Sequence, residues 1–129
     1  MHINYLAVLV AAIINMVIGA IWYSPVLFAK SWLAATGKKD MGRPGPGYAL
    51  TAVGSLVMAL ILAYVISQIG AVTFMAGAKV GLIAWAGFVA TTHAANYVFE
   101  GRSLKLYSIN VGYFLVTLVL MGGLLGSWN

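Results

Sequence analysis

The sequence predicts an all-α, polytopic membrane protein with four transmembrane helices and a short interfacial helix between the first and second. Of its 129 residues, 63% are hydrophobic and 7% are charged, whereas soluble domains carry about 25% charged residues. So short a chain cannot hide this much apolar surface in water. The apolar residues also fall in four runs, each long enough at about 1.5 Å per residue to cross about 30 Å of hydrocarbon.

The four runs are expected to form one domain over residues 1–129. Helices are expected because hydrocarbon offers no partners for backbone N–H and C=O groups. A transmembrane β-barrel is disfavoured because the runs do not alternate between polar and apolar residues. We therefore predict transmembrane helices over residues 3–23, 48–69, 74–99 and 104–128.

The first loop is predicted to contain an interfacial helix over residues 25–36. Pro25 permits a new helical start, and the residues after it mix apolar side chains with Lys30, which is typical of a helix lying on a membrane surface. A Gly- and Pro-rich run over residues 42–47 then forms a turn and linker. The other two loops are short, which predicts antiparallel neighbouring helices.

The basic residues predict the orientation of the chain. In a four-span protein the first and third loops share one side, and the other side carries only Lys79. The basic residues of the first and third loops and their flanks are Lys30, Lys38, Lys39, Arg43, Arg102 and Lys105. The positive-inside rule places these loops in the cytoplasm and both termini outside, in a bacterial cytoplasmic (inner) membrane. The net charge of +5 then reflects topology, and no nucleic-acid partner is expected.

Small residues recur four apart on the predicted second and third helices. Close helix packing in lipid depends on such residues. The stripes are Thr51, Ser55, Ala59, Ala63 and Ser67 on the second helix, and Gly77 and Gly81 on the third. Packing within one bundle explains most of these small-residue positions. The more specific alternative is that a stripe forms a contact between copies in a homo-oligomer.

Polar residues inside the predicted spans suggest a site. Asn15, His93 and Asn110 come from three helices, yet they share one depth when counted from the predicted membrane surface. Asn96 lies on the face of His93, and Tyr113 lies on the face of Asn110. These five form the candidate intramembrane polar cluster. Such residues often only hold bundles together, and His93 is either a hydrogen-bonded neutral imidazole or a titrating group.

A second group of residues is expected at the membrane surface. The candidate interface and lipid contacts are Trp22, Tyr23, Lys30, Trp32 and Tyr107. Aromatic residues belt membrane interfaces, and cations near the surface attract anionic headgroups. Membrane lipids are therefore expected partners.

No constellation for catalysis, metal binding or a cofactor is found. The chain has no cysteine, and His2 and His93 are predicted on opposite sides of the membrane, whereas zinc usually takes three or four protein ligands. No signature places a serine beside His93, and no phosphate-binding glycine loop is present in the required context. An enzyme is not expected, and no cofactor is assigned.

Two sequence blocks indicate a family. The first is Trp22-Tyr23-Ser24-Pro25, and the second is Ile109-Asn110 followed by Gly112-Tyr113. With them, nearly the whole chain resembles the small bacterial membrane proteins catalogued as domain of unknown function 1761. The resemblance implies a four-helix membrane protein and implies no activity.

The sequence alone favours a structural or accessory subunit that associates with itself or with a larger membrane complex. This hypothesis fits the small-residue stripes and the lack of a catalytic constellation. Two alternatives are an oligomeric transporter or channel for small molecules or ions, and a lipid-binding protein. Both would use a polar cluster around His93.

Overall fold

The structure confirms the predicted fold class. It is a computed structural model that describes residues 3–37 and 45–128. Four helices in the described part are long and apolar enough to cross a membrane, and a shorter helix lies between the first and second. Of the residues discussed above, His2, Lys38, Lys39 and residues 42–44 of the predicted linker, which include Arg43, lie outside the described residues.

The third membrane span is divided into three segments, whereas the other spans are single α-helices. We name the helices α1 (Tyr5–Trp22), α2 (Ala29–Thr36), α3 (Gly45–Ile69), α4 (Phe74–Ala84), α5 (Thr91–Phe99) and α6 (Leu104–Ser127). A π-helical segment, Trp85–Ala90, joins α4 to α5.

The short helix α2 begins at Ala29 rather than at the predicted residue 25. The residues before it form turns in which the Phe28 N–H donates to the Trp22 carbonyl and the Ala29 N–H to the Ser24 carbonyl, each at 3.1 Å. Pro25 therefore lies in a turn, and the helix starts only after that turn.

Local capping explains where the spanning helices begin. The side chains of Asn4, Thr73 and Ser103 each accept a hydrogen bond from a backbone N–H in the first turn of α1, α4 and α6. Such caps satisfy amide groups that a helix cannot satisfy itself. Gly70 and Gly101 follow α3 and α5 with positive φ angles of 80° and 69°, a conformation that glycine adopts without steric cost.

Helices α4 and α6 are in direct backbone contact. A Cβ atom added to Gly77 would overlap the Gly122 carbonyl, and one added to Gly81 would overlap the Leu118 carbonyl. From the other side, a Cβ at Gly126 would overlap the Thr73 carbonyl. Only glycine permits this approach, so the small-residue pair predicted on the third span, Gly77 and Gly81, serves packing within the bundle.

The rest of the core lies in the same half of the bundle. We call this half the termini end, because Asn4 Nδ2 donates to the Trp128 carbonyl at 3.3 Å and so joins the two ends of the chain. The opposite half, where α1 ends and α3 begins, is the loop end. The core cluster consists of Ala7, Val8, Ala11, Ala12, Ala59, Leu62, Ala63, Ile66, Ala71, Leu118, Met121 and Leu125.

At the loop end a cavity lies between α1, α3 and α6. The part of α3 beside it presents Tyr48 at 63% exposure and Val53 at 59%. Helix α3 packs against α1, α6 and α4, whereas α5 packs against α6 and the π-helical segment. The two halves of the bundle therefore differ, with small residues closing the termini end and a gap beside α3 at the loop end.

Side chains lie within hydrogen-bond distance of four of the six carbonyl groups of the π-helical segment. Thr91 Oγ1 donates to the Gly87 carbonyl at 2.7 Å, Thr92 Oγ1 to that of Phe88, and Tyr107 to that of Ala90 at 2.7 Å. His93 Nδ1 lies 2.9 Å from the Val89 carbonyl oxygen. Hydrocarbon cannot supply these donors, so the side chains allow the helix to depart from α-geometry inside the membrane.

Substituting Gly81→Ala should destabilise the bundle by about 1–3 kcal/mol, because the new methyl group overlaps backbone that cannot rotate away. The measurement is the free energy of unfolding in detergent micelles. Gly54→Ala is the matched control, because a Cβ there meets nothing within 4 Å. Equal effects of the two substitutions would contradict the α4–α6 contact.

Candidate functional site

Asn15 is the centre of a buried hydrogen-bond network that joins three helices. Its Nδ2 donates to Ser55 Oγ on α3 at 2.6 Å. Its Oδ1 accepts from the hydroxyl groups of Tyr113 at 2.5 Å and Thr117 at 2.8 Å, both on α6. Asn15 is 4% exposed and Thr117 is fully buried. Because polar groups in hydrocarbon are costly when unpaired, these bonds fix the relative positions of α1, α3 and α6.

Asn110 is the centre of a second network at the loop end. The Tyr23 hydroxyl donates to Asn110 Oδ1 at 2.7 Å, and Asn110 Nδ2 donates to the Tyr97 hydroxyl at 2.6 Å. The end of α1 is thereby linked to α5 through Asn110 on α6.

The structure separates the five residues of the predicted polar cluster. Asn15 and Tyr113 are in contact, and Asn110 belongs to the second network. His93 is bound to the backbone of its own helix, and its ring lies 5.8 Å from that of Phe114. Asn96 is exposed on α5. The cluster is thus two networks, and neither has His93 at its centre.

Ser55 and Thr117 are network members outside the five-residue cluster predicted from the sequence. The sequence does place Thr117 on the helical face of Asn110 and Tyr113. Ser55 was assigned to the small-residue stripe of α3, which turns it toward α1.

The predicted interface residues mainly tie the loop end together. Trp22 Nε1 donates to the Ile109 carbonyl at 2.9 Å, and the Trp22 ring lies 4.7 Å from that of Phe28. The rings of Tyr23 and Trp32 are 6.2 Å apart. Lys30 is exposed on α2. The aromatic groups thus link α2 and α1 to α6.

A cavity of about 640 Å³ lies between α1, α3 and α6 at the loop end. This volume is in the range of small-molecule sites, about 300–1,000 Å³. Asn15, Ser55 and Tyr113 bring the first network to it. The other lining residues are Met16, Gly19, Ala20, Tyr23, Tyr48, Thr51, Gly54, Met58 and Phe114.

The chemistry that this cavity offers is hydrogen bonding and apolar contact. Within residues 3–37 and 45–128, no group of three or more His, Cys, Asp or Glu side chains is placed to hold a metal ion.

Arg102 and Glu100 form an ion pair at 3.1 Å, with both side chains about half exposed, and such pairs contribute little to stability.

Comparison with known proteins identifies a family and no activity. The sequence profile described as "Protein of unknown function (DUF1761)" matches residues 6–126. No curated protein and no solved structure matches the chain. The matched segment includes α1 from its second residue and nearly all of α6, so both asparagine networks lie within it.

Replacing Asn15 with leucine should lower the free energy of unfolding by about 1–3 kcal/mol, because Tyr113, Thr117 and Ser55 all lose a buried partner. Asn96→Leu is the matched control at an exposed position and should stay within about 0.5 kcal/mol of the natural protein.

A double-mutant cycle that pairs Asn15→Leu with Thr117→Val gives an independent check. The two effects should be non-additive, since the second substitution removes a bond that the first has already broken. Additive effects in detergent unfolding would argue against the network.

Proposed function

The chain belongs to the DUF1761 family, and because that description assigns no activity, we propose from the structure that it binds an amphipathic molecule dissolved in the membrane. The ligand occupies the cavity between α1, α3 and α6. Its apolar part contacts the side walls, and its polar part reaches the Asn15 network.

The cavity is the observation that carries this proposal. Its walls include Met16, Met58 and Phe114, which offer a flexible apolar surface. Asn15, Ser55 and Tyr113 supply polar groups in the same space. Apolar walls with a few convergent polar groups are the usual composition of a small-molecule site.

The surface of α3 supports entry from the membrane. Tyr48 lines the cavity and is 63% exposed, and Gly54 and Thr51 are also exposed lining residues. One wall of the cavity is therefore an edge of the bundle that lipid reaches. A ligand that partitions into the bilayer can enter sideways, without crossing the packed termini end.

The distribution of basic residues supports a cytoplasmic position for the cavity. Lys30, Arg102 and Lys105 lie at the loop end, and Lys79 lies toward the other end. By the positive-inside rule the loop end faces the cytoplasm of a bacterial cell, and both termini lie outside. The ligand then exchanges with the inner leaflet of the cytoplasmic membrane.

The sequence alone favours an accessory subunit, and that hypothesis makes a different prediction. It requires a defined assembly with itself or with another membrane protein, irrespective of what the cavity holds. The alternative binding hypotheses placed the site around His93, whereas the residues that line the cavity include Asn15 and several residues of α3. Binding at this cavity is therefore the function that the geometry supports best.

Gly54→Leu should abolish ligand binding with little loss of stability. A Cβ at Gly54 meets nothing within 4 Å, so leucine fills the cavity without overlapping backbone. The measurement is native mass spectrometry of protein extracted in native lipid, which reports molecules retained at fixed stoichiometry. Val53→Leu, on the exposed face next to it, is the matched control and should retain the ligand.

Three outcomes separate the hypotheses. A retained molecule that is lost only in Gly54→Leu supports binding in the cavity. Retention that is unchanged in Gly54→Leu would place the ligand elsewhere and overturn the proposal. A defined protein assembly, indifferent to Gly54→Leu and without a retained molecule, would instead support the accessory subunit.

A further inference from the structure

The lining of the cavity contains no charged side chain among the described residues. Its polar members are amide, hydroxyl and phenol groups, namely Asn15, Tyr23, Tyr48, Thr51, Ser55 and Tyr113. A lysine of the loop end, Lys105, instead lines a separate hollow of about 310 Å³ between α2 and α6. An ionised group in the main cavity would therefore lose its hydration without gaining an opposite charge from these walls.

Depth adds a second constraint. Asn15 precedes Trp22, the last residue of α1, by seven residues, which is about 10 Å along the helix axis at the usual rise. Ser55 follows Gly45, the first residue of α3, by ten residues, or about 15 Å. A ligand group that reaches these side chains lies well below the level of phospholipid phosphates, where charge is strongly disfavoured.

The network also determines which hydrogen-bonding groups remain for a ligand. Asn15 Oδ1 already accepts two bonds, whereas its Nδ2 makes one bond and keeps a second N–H. Ser55 Oγ accepts from Asn15 and keeps its own proton. Thr51 makes no side-chain hydrogen bond with any residue in the described ranges. Three N–H or O–H donors therefore remain near the floor, those of Thr51, Ser55 and the second N–H of Asn15.

From these three observations we infer that the cavity selects an uncharged amphiphile whose polar end carries hydroxyl or carbonyl oxygens, and that it excludes charged headgroups. Long-chain alcohols, acylglycerols and long-chain ketones have this chemistry. The inference rests on the proposed function, because it names the class of ligand for the same cavity. The ligand oxygens accept from Thr51, Ser55 and the second N–H of Asn15.

The test uses three probes that share one tail. The full chain is reconstituted in phosphatidylcholine nanodiscs and labelled by a photoactivatable dodecanol, the corresponding dodecyl phosphate or the corresponding dodecylamine. Mass spectrometry then maps the adducts. Labelling at Met58, in the cavity, is divided by labelling at Ile83, which is 70% exposed on α4. This ratio removes differences in how well each probe partitions into the bilayer.

The alcohol should give a saturable ratio at least tenfold above those of the phosphate and the amine. Thr51→Val removes a cavity donor with almost no change in shape and should reduce the alcohol ratio severalfold. Ser108→Ala is its control, because this exposed hydroxyl lines the separate hollow between α2 and α6 and not the cavity. Gly54→Leu should remove the cavity label altogether.

The outcomes keep the two proposals distinct. Equal or stronger labelling by dodecyl phosphate or dodecylamine, abolished by Gly54→Leu, would overturn the inference about charge and leave binding in the cavity intact. A ratio near one for every probe would show that the cavity is not a binding site, and the proposed function would fail. An alcohol ratio unaffected by Thr51→Val and by Ser55→Ala would overturn the assignment of the donors.

Discussion

The backbone contact between α4 and α6 is the constraint on which the rest of the bundle depends. Helices in lipid gain little from hydrophobic association, so they must approach closely enough for dispersion forces to hold them. Gly77 and Gly81 allow this approach to Gly122, Gly126 and Leu118. Alanines complete the closure between α1 and α3 in the same half. With one end held in this way, the other can remain open without loss of the fold.

The Asn15 network lies where the packed half meets the open half. Toward the termini end, side chains are small and apolar. Toward the loop end, larger aromatic residues link α1 and α2 to α6, and the first turns of α3 are exposed at Tyr48. The hydrogen bonds of Asn15 fix α1, α3 and α6 at the level where the close packing of small apolar residues ends. It also places polar groups at the bottom of the cavity, so that the same bonds serve the fold and the site.

The membrane class and the order of the helices could be predicted from the sequence, because both follow from the length and hydrophobicity of each run. Counting residues from the predicted surface also gave Asn15, His93 and Asn110 one depth, but depth does not fix direction around the bundle. The π-helical segment changes the rotation of α5 relative to α4. The His93 ring lies against the Val89 carbonyl of the same span and does not reach Asn15 or Asn110. Ser55 belongs to a stripe of small packing residues, so the sequence did not indicate that its hydroxyl would bond to Asn15. The open side of α3 could not be predicted either. A helix that is apolar on every side shows no hydrophobic periodicity, so its sequence does not indicate which side faces a neighbouring helix.

In the proposed site, stability and ligand selectivity are coupled at Asn15 but separable elsewhere in the cavity. The hydroxyl groups of Tyr113 and Thr117 both donate to Asn15 Oδ1. Asn15 Nδ2 is therefore the group that faces α3, where it donates to Ser55. A change at Asn15 therefore alters helix association and ligand chemistry together, so loss of binding there would not identify a site. Thr51 and Gly54 line the same space outside this network. Their substitution changes the shape or the donors of the cavity while the bonds among α1, α3 and α6 stay in place, so these two positions distinguish a binding site from a structural polar core.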